Sequence, residues 1–230
     1  MTVITISRQF GSYGDEIAKK LCEILNFHYF DKLLVMQAAK EAGLAEQEIV
    51  DYSEENYKVR NFLGRISSRP QTLAQLRVWK EDAHGMRIPE AITLTEDVAL
   101  ELVQKAVRHA HQVGNVVIVG RGGQVILRDE PDVLHVRVEA PFETRLQRVR
   151  EAWHPYETQV DLRREAQNLI EQKDLASTDY LDHFYGERWD NHLLYHLVIN
   201  TGKLSVDQAA EMIAHLAREM MPQREKVRVR

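Results

Sequence analysis

A single cysteine, Cys22, in 230 residues leaves no disulfide framework and no cysteine-based metal centre, and it fits a reducing compartment. Cys22 falls on an apolar helix face and reads as core. Basic residues give no excess: 30 Lys and Arg against 35 Asp and Glu leave a formal charge of −5, the wrong sign for a dedicated nucleic-acid binder. No window holds the run of about 20 apolar residues that a membrane-spanning helix needs. The opening MTVITISRQF has no charged segment ahead of a long apolar stretch. Neither an anchor nor a signal peptide is expected, and the cytoplasm is the expected location. The ten histidines form no H-E-x-x-H pair. His109 and His111, two apart, project from different faces of a helix, so no zinc is assigned.

What the chain does have is 44% hydrophobic residues, enough for one sizeable core. The expectation is a single domain over residues 1–222 with a basic tail, QREKVRVR, at 223–230. Val3 to Ile6 is a short β-branched run that leads through SRQFGSYG into a helical pattern of Ile17, Ala18, Leu21, Cys22 and Leu25. Phe27 to Phe30, Val116 to Val119, Val133 to Val138 and Leu197 to Ile199 read as further strands. Val116 to Val119 has no polar alternation, which suits a strand covered on both faces. Helices are expected from Leu33 to Ala42, from Val98 to a stop at Gly114, after Pro141, and from Val160 to Lys173. Ser205 with Gln208 makes a capping box for a closing helix. Residues 44–95 are read as a helical insertion, with a turn near Ser67 to Pro70, and residues 151–162 as a short lid.

Strands alternating with helices imply right-handed crossovers, hence an α/β fold with a three-layer, doubly wound, parallel five-stranded sheet. Ligands of such sheets sit beyond the carboxyl ends of the strands. SRQFGSYG, Asp31 and Gly120-Arg121-Gly122-Gly123 meet at that rim. A glycine-bearing loop between a strand and a helix gathers backbone N–H groups on an anion. Ser7, Arg8, Gly11, Ser12, Tyr13 and Gly14 are the candidate phosphate residues. The Walker pattern G-x-x-x-x-G-K-[ST] is not met, because Asp15 and Glu16 follow Gly14. Arg121 offers a planar fork suited to phosphate. Asp31 could hydrogen-bond a sugar or base, or cap the helix after it.

The blocks ITISRQFGSYGDEIAKKL, HYFDK, VIVGRGG, LHVRVEAPFETRLQRV and YHLVINT, in this order, resemble the cytidylate kinase-like family. The resemblance implies a P-loop nucleoside-monophosphate-kinase fold with a helical acceptor region, ATP as donor, Mg²⁺, and a nucleoside monophosphate, by analogy CMP, as acceptor. Aligned with true cytidylate kinases, Arg8 stands at the first loop glycine, Gly14 at the lysine and Glu16 at the hydroxyl residue. Arg8 is therefore expected to take over the lysine's charge, and Glu16 to bind Mg²⁺ through its carboxylate. Arg121 matches an acceptor-side arginine and Asp31 an acceptor-side aspartate, while Gly122 stands where a second aspartate would be. Arg148 matches a lid-side arginine and is the second candidate catalytic cation. Arg145, Arg150, Arg163 and Arg164 read as lid residues or as surface partners of Glu143, Glu151 and Glu165. Ser177 stands where related proteins carry an arginine. Three functions fit: a nucleotide phosphotransferase, a kinase for another small phosphorylated acceptor, and a nucleotide-binding sensor that has lost transfer.

Overall fold

The computed structural model describes residues 2–30, 72–81, 87–153 and 159–220, with side chains for 2–30, 97–152 and 162–220. The elements in chain order are β1 (Val3–Arg8), α1 (Gly14–Leu25), β2 (His28–Phe30), β3 (Thr72–Glu81), β4 (Arg87–Thr95), α2 (Glu96–Val113), β5 (Val116–Val119), α3 (Gly123–Ile126), β6 (Val133–Glu139), α4 (Phe142–Trp153), α5 (Gln159–Tyr185), β7 (Leu197–Asn200) and α6 (Val206–Met220). β2, β5, β1, β6 and β7 lie side by side in that order, and every pairing is parallel. The expected five-stranded, doubly wound sheet is what the chain forms.

Period-two alternation sorts the strand residues into two cores. Ile4, Ile6, Val117, Val119, Leu134, Val136 and Val138 pack with Ile17, Ala18 and Leu21 of α1 and Ala209, Ala210, Ile213, Ala214 and Ala217 of α6. Val3, Val116, Ile118 and Val133 turn to the other face, against Val103, Ala106, Val107 and Ala110 of α2. The alanine stripe of α6 lets that helix lie close to the sheet. Its start is the expected capping box: the Ser205 hydroxyl accepts from the Gln208 N–H, and the Gln208 side chain accepts from the Ser205 N–H. Cys22 is half-buried beside the first core. Burial pushes its thiol pKa up to about 11, which leaves it inert as a nucleophile.

The reading of residues 44–95 as helical is corrected where that stretch is described. Thr72–Glu81 and Arg87–Thr95 form an antiparallel ribbon, with Leu76 opposite Ile92 and Trp79 opposite Pro89. Pro89 is poorly suited to a helix interior but tolerated in a ribbon edge. The expected helix at 33–42, the turn at Ser67 to Pro70, the tail and residues 154–158 of the lid segment lie outside the described residues; the two ends of that segment continue α4 and begin α5. No described helix is long and apolar enough to cross a membrane.

Among the polar groups buried in the sheet, one is a titratable imidazole. His135 on β6 is 3% exposed, and its Nδ1 lies 2.7 Å from the Thr5 hydroxyl while Nε2 lies 3.2 Å from the Leu127 carbonyl. A carbonyl only accepts, so Nε2 carries the proton, Nδ1 accepts from Thr5, and the ring is neutral. Burial, then the neighbouring His196, pushes the His135 pKa down to about 4. A base depressed in the folded state leaves stability intact above its unfolded pKa of about 6.5, and the unfolded chain gains protons first below it. Folding stability should therefore fall between pH 6.5 and 4, by about 3 kcal/mol at the lower end from this group. Denaturant titration of His135→Gln should show a protein weaker at pH 7 that loses less on acidification; a parallel loss in both proteins would contradict the assignment.

Candidate phosphate-binding site

At the carboxyl end of β1 the chain turns sharply through Gln9 to Tyr13 and enters α1. Gly11 has φ +77° and Tyr13 has φ 65°, both left-handed. At Gly11 a side chain would meet the Val149 methyl at 3.0 Å and the Arg145 carbonyl at 3.2 Å, so only glycine fits. Tyr13 is the N-cap of α1, and no side chain caps the helix.

The loop is held by its carbonyl groups. The Phe10 carbonyl accepts from Arg145 Nη1 at 3.1 Å, the Gly11 carbonyl from Arg148 Nη1 at 3.4 Å, and the Ser12 carbonyl from the Thr201 hydroxyl at 2.7 Å. Asp174 on α5 completes the clamp, accepting the Phe10 N–H at 3.0 Å and the Arg145 guanidinium at 2.7 Å. Arg148 also donates to the Thr201 hydroxyl and carbonyl, and its guanidinium lies 4.0 Å from the centre of the Tyr13 ring. The N–H groups of Gly11, Tyr13, Gly14, Asp15 and Glu16 have no acceptor among the described residues. The buried Ser12 hydroxyl likewise has none. A strand-to-helix loop with its acceptors engaged and its donors open, at the positive end of a 12-residue helix, is a cradle for an anion.

Arg8 closes the cradle from the front. A Cβ built on Gly14 would lie 2.4 Å from Arg8 Cβ and 2.7 Å from its Cγ, so the Arg8 stem fills the space of a residue-14 side chain. Its guanidinium pairs with Asp15 at 3.3 Å, and the Tyr29 hydroxyl donates to the same carboxylate at 3.2 Å. Burial and then the Asp15 charge push the Tyr29 pKa up, which keeps the phenol protonated as a donor.

Beside this loop, Gly120, Arg121 and Gly122 follow β5 with φ 66°, 62° and 68°. The Gly120 N–H donates to the Ile6 carbonyl at 2.9 Å, joining the two loops at one rim. Arg121 is 9% exposed. A Cβ on Gly122 would lie 2.8 Å from the Tyr185 ring, so that ring fills the place of the aspartate expected by resemblance.

Other expectations are redistributed. Ser7 is fully buried, and its hydroxyl accepts from Trp189 Nε1 at 2.9 Å and the Tyr195 hydroxyl at 3.3 Å, so its side chain belongs to the core and not to phosphate. Arg148 clamps the loop where a lid residue had been expected. Arg145, read as lid or surface, is 5% exposed, while Arg163 does make the surface pair with Glu143. Glu16 is exposed on the first turn of α1. Ser177 is 2% exposed. Asp31 lies outside the described residues. Sequence reasoning missed Asp174, Thr201 and the buried Arg137, whose Nη1 donates to the Trp189 carbonyl and whose guanidinium lies 4.5 Å from the Trp189 ring centre. An arginine between two valines in the strand VLHVRVE was the available signal for the last of these.

A central parallel sheet with a strand, glycine loop and helix at its middle defines a P-loop kinase type of fold. The chain belongs to the cytidylate kinase-like family, whose profile it matches over residues 3–203. Curated protein sequences give no match. Among solved structures, an uncharacterized protein from Eubacterium ventriosum overlaps with TM-score 0.60 at 21% identity, over 95% of this chain and 99% of that one, a likeness of fold. A shikimate kinase from Acinetobacter baumannii in complex with shikimate reaches 0.45 at 13%, over 95% and 94%, and one from Bacteroides thetaiotaomicron 0.46 at 12%, over 94% and 98%. At those scores the two kinases add nothing to the fold the first shows.

The clamp and the Arg8–Gly14 packing each give a test. Asp174→Asn should cost about 3 kcal/mol, as for breaking a buried pair, and weaken phosphate or sulfate binding with it. Gly14→Lys alone should destabilise by about 1–3 kcal/mol through overpacking, and adding Arg8→Gly should recover most of it. Additive losses in that double-mutant cycle would show that the two side chains do not compete for one space.

Proposed function

We propose that the chain transfers the γ-phosphoryl group of ATP to a nucleoside monophosphate, with CMP the acceptor suggested by the family. The observation that carries this is the Arg8 stem lying across Gly14: the loop has lost its lysine, yet a cation stands over the position the lysine would occupy. The N–H groups of Gly11, Tyr13, Gly14 and Asp15 with the Ser12 hydroxyl take the donor phosphates. Arg8 leaves Asp15 to neutralise charge on the β- and γ-phosphates. Arg121, with its adaptable fork, holds the acceptor phosphate, and Asp31 the acceptor sugar or base. An acceptor phosphate oxygen attacks the γ-phosphorus, the bond to the bridging oxygen breaks, and ADP leaves. Mg²⁺ would be held by carboxylate oxygens of Asp15 or Glu16 in the first turn of α1, where it would offset phosphate charge. Arg148 acts through Tyr13 and the Gly11 carbonyl, and is a positioning residue. Such ATP-dependent chemistry on small nucleotides suits the cytoplasm.

The test is ADP formation by purified protein with ATP and Mg²⁺ against each nucleoside monophosphate. Arg8→Ala should lower kcat by about 10²–10³-fold while changing ATP affinity only slightly, because charge stabilisation confined to the transition state shows in rate. Arg121→Ala should weaken acceptor binding by about 1.5–3 kcal/mol and spare ATP. ATP binding without transfer to any acceptor would leave a nucleotide-binding sensor in place of an enzyme.

A further inference from the structure

His111 has a constellation of its own at the opposite rim of the sheet, far from the phosphate loop. It sits in the last turn of α2, and its Nε2 lies 2.8 Å from Asp132 Oδ1. Glu130, two residues before Asp132 across Pro131, joins them: one ligand atom from each of the three lies within 4.8 Å of the others. All three are half-buried, with 17% of the His111 and 35% of the Asp132 side chain exposed. The sequence put His109 and His111 on different faces of their helix and offered no second ligand. The turn into β6 supplies the companions instead.

We propose that His111, Glu130 and Asp132 bind a divalent transition-metal ion, of the Zn²⁺, Co²⁺ or Mn²⁺ class, that ties the end of α2 to the turn before β6. Two carboxylates gathered in a half-buried corner repel, and a divalent ion between them relieves that where a neutral imidazole does not. One imidazole nitrogen with two carboxylate oxygens is a borderline donor set, which selects these ions over Ca²⁺ and Mg²⁺. The 2.8 Å His–Asp separation is near the roughly 3 Å between adjacent ligands that each stand about 2.1 Å from one ion. The backbone is set before any ion arrives. The Asp132 carbonyl accepts from the Val3 N–H at 3.2 Å, the Glu130 N–H donates to Leu127 at 3.1 Å, and the Glu130 carbonyl accepts from Val133 at 3.3 Å. The α2 end is fixed by Gly114 donating to Ala110 at 3.0 Å. Water completes the coordination, and the ion's role is to hold the end of α2 to the turn before β6.

Chelator-treated full-length protein titrated with Zn²⁺, Co²⁺, Mn²⁺ or Mg²⁺, each alone, tests this by calorimetry, Co²⁺ visible absorption and thermal melts. The expected result is one Zn²⁺ or Co²⁺ per chain, a raised Tm, and a cobalt band of mixed nitrogen and oxygen ligation. Glu130→Gln, which keeps the His111–Asp132 pair, should fold as the parent does and bind at least about tenfold more weakly. His111→Gln should abolish the cobalt band. No binding of Zn²⁺ or Co²⁺ up to millimolar concentration, or binding unchanged in Glu130→Gln, overturns the proposal.

Discussion

Hydrogen bonds to the carbonyl groups of Phe10, Gly11 and Ser12 fix the loop on which the site depends. A peptide group whose oxygen is held on one side presents its N–H in a fixed direction on the other, and an anion site needs fixed donors. The guanidiniums of Arg145 and Arg148 are well placed for this, since each reaches more than one carbonyl or hydroxyl oxygen from a single helix, α4. Their charge is balanced unequally: Arg145 has Asp174, whereas Arg148 has the face of Tyr13. Asp15 and Glu16 in the first turn of α1 lie beside the same loop, and Arg8 pairs with the first of them.

Helix α5 connects the parts. It starts at Gln159, within the segment expected to be a lid, reaches the glycine loop through Asp174, and reaches the neighbouring loop through Tyr185 against Gly122. Just beyond its end, Trp189 donates to Ser7 on β1. The helix and the segment just after it thus touch the glycine loop, the turn at 120–123 and the strand.

Much of the fold was legible because the strands are short aliphatic runs and helices carry clear caps or stops at Gly114 and Ser205. The ribbon of Thr72–Glu81 and Arg87–Thr95 was not, since strands of ten and nine residues with Arg77, Lys80 and Glu90 in them show no clean alternation to a single sequence. At the site, glycines Gly11 and Gly14 announced a loop, and the family blocks announced its kind. What could not be read was direction. Arg145 and Arg148 look alike among five helical arginines, and only the packing of α4 against the loop turns them inward. Likewise Ser7 looks like a phosphate ligand in SRQFGSYG, yet strand pleat sends its hydroxyl to Trp189. Gly122 signalled a lost aspartate, but the ring that replaced it comes from residue 185.

The central claim is that Arg8 serves the loop in place of a lysine. It is met most directly by a crystal structure of the protein with ADP, Mg²⁺ and a phosphoryl mimic. The guanidinium of Arg8 should have left Asp15 and lie within hydrogen-bond distance of the β-phosphate and the mimic, with the loop N–H groups on the same oxygens. A nucleotide bound in the loop with Arg8 still on Asp15, and another cation on the phosphates, would contradict it.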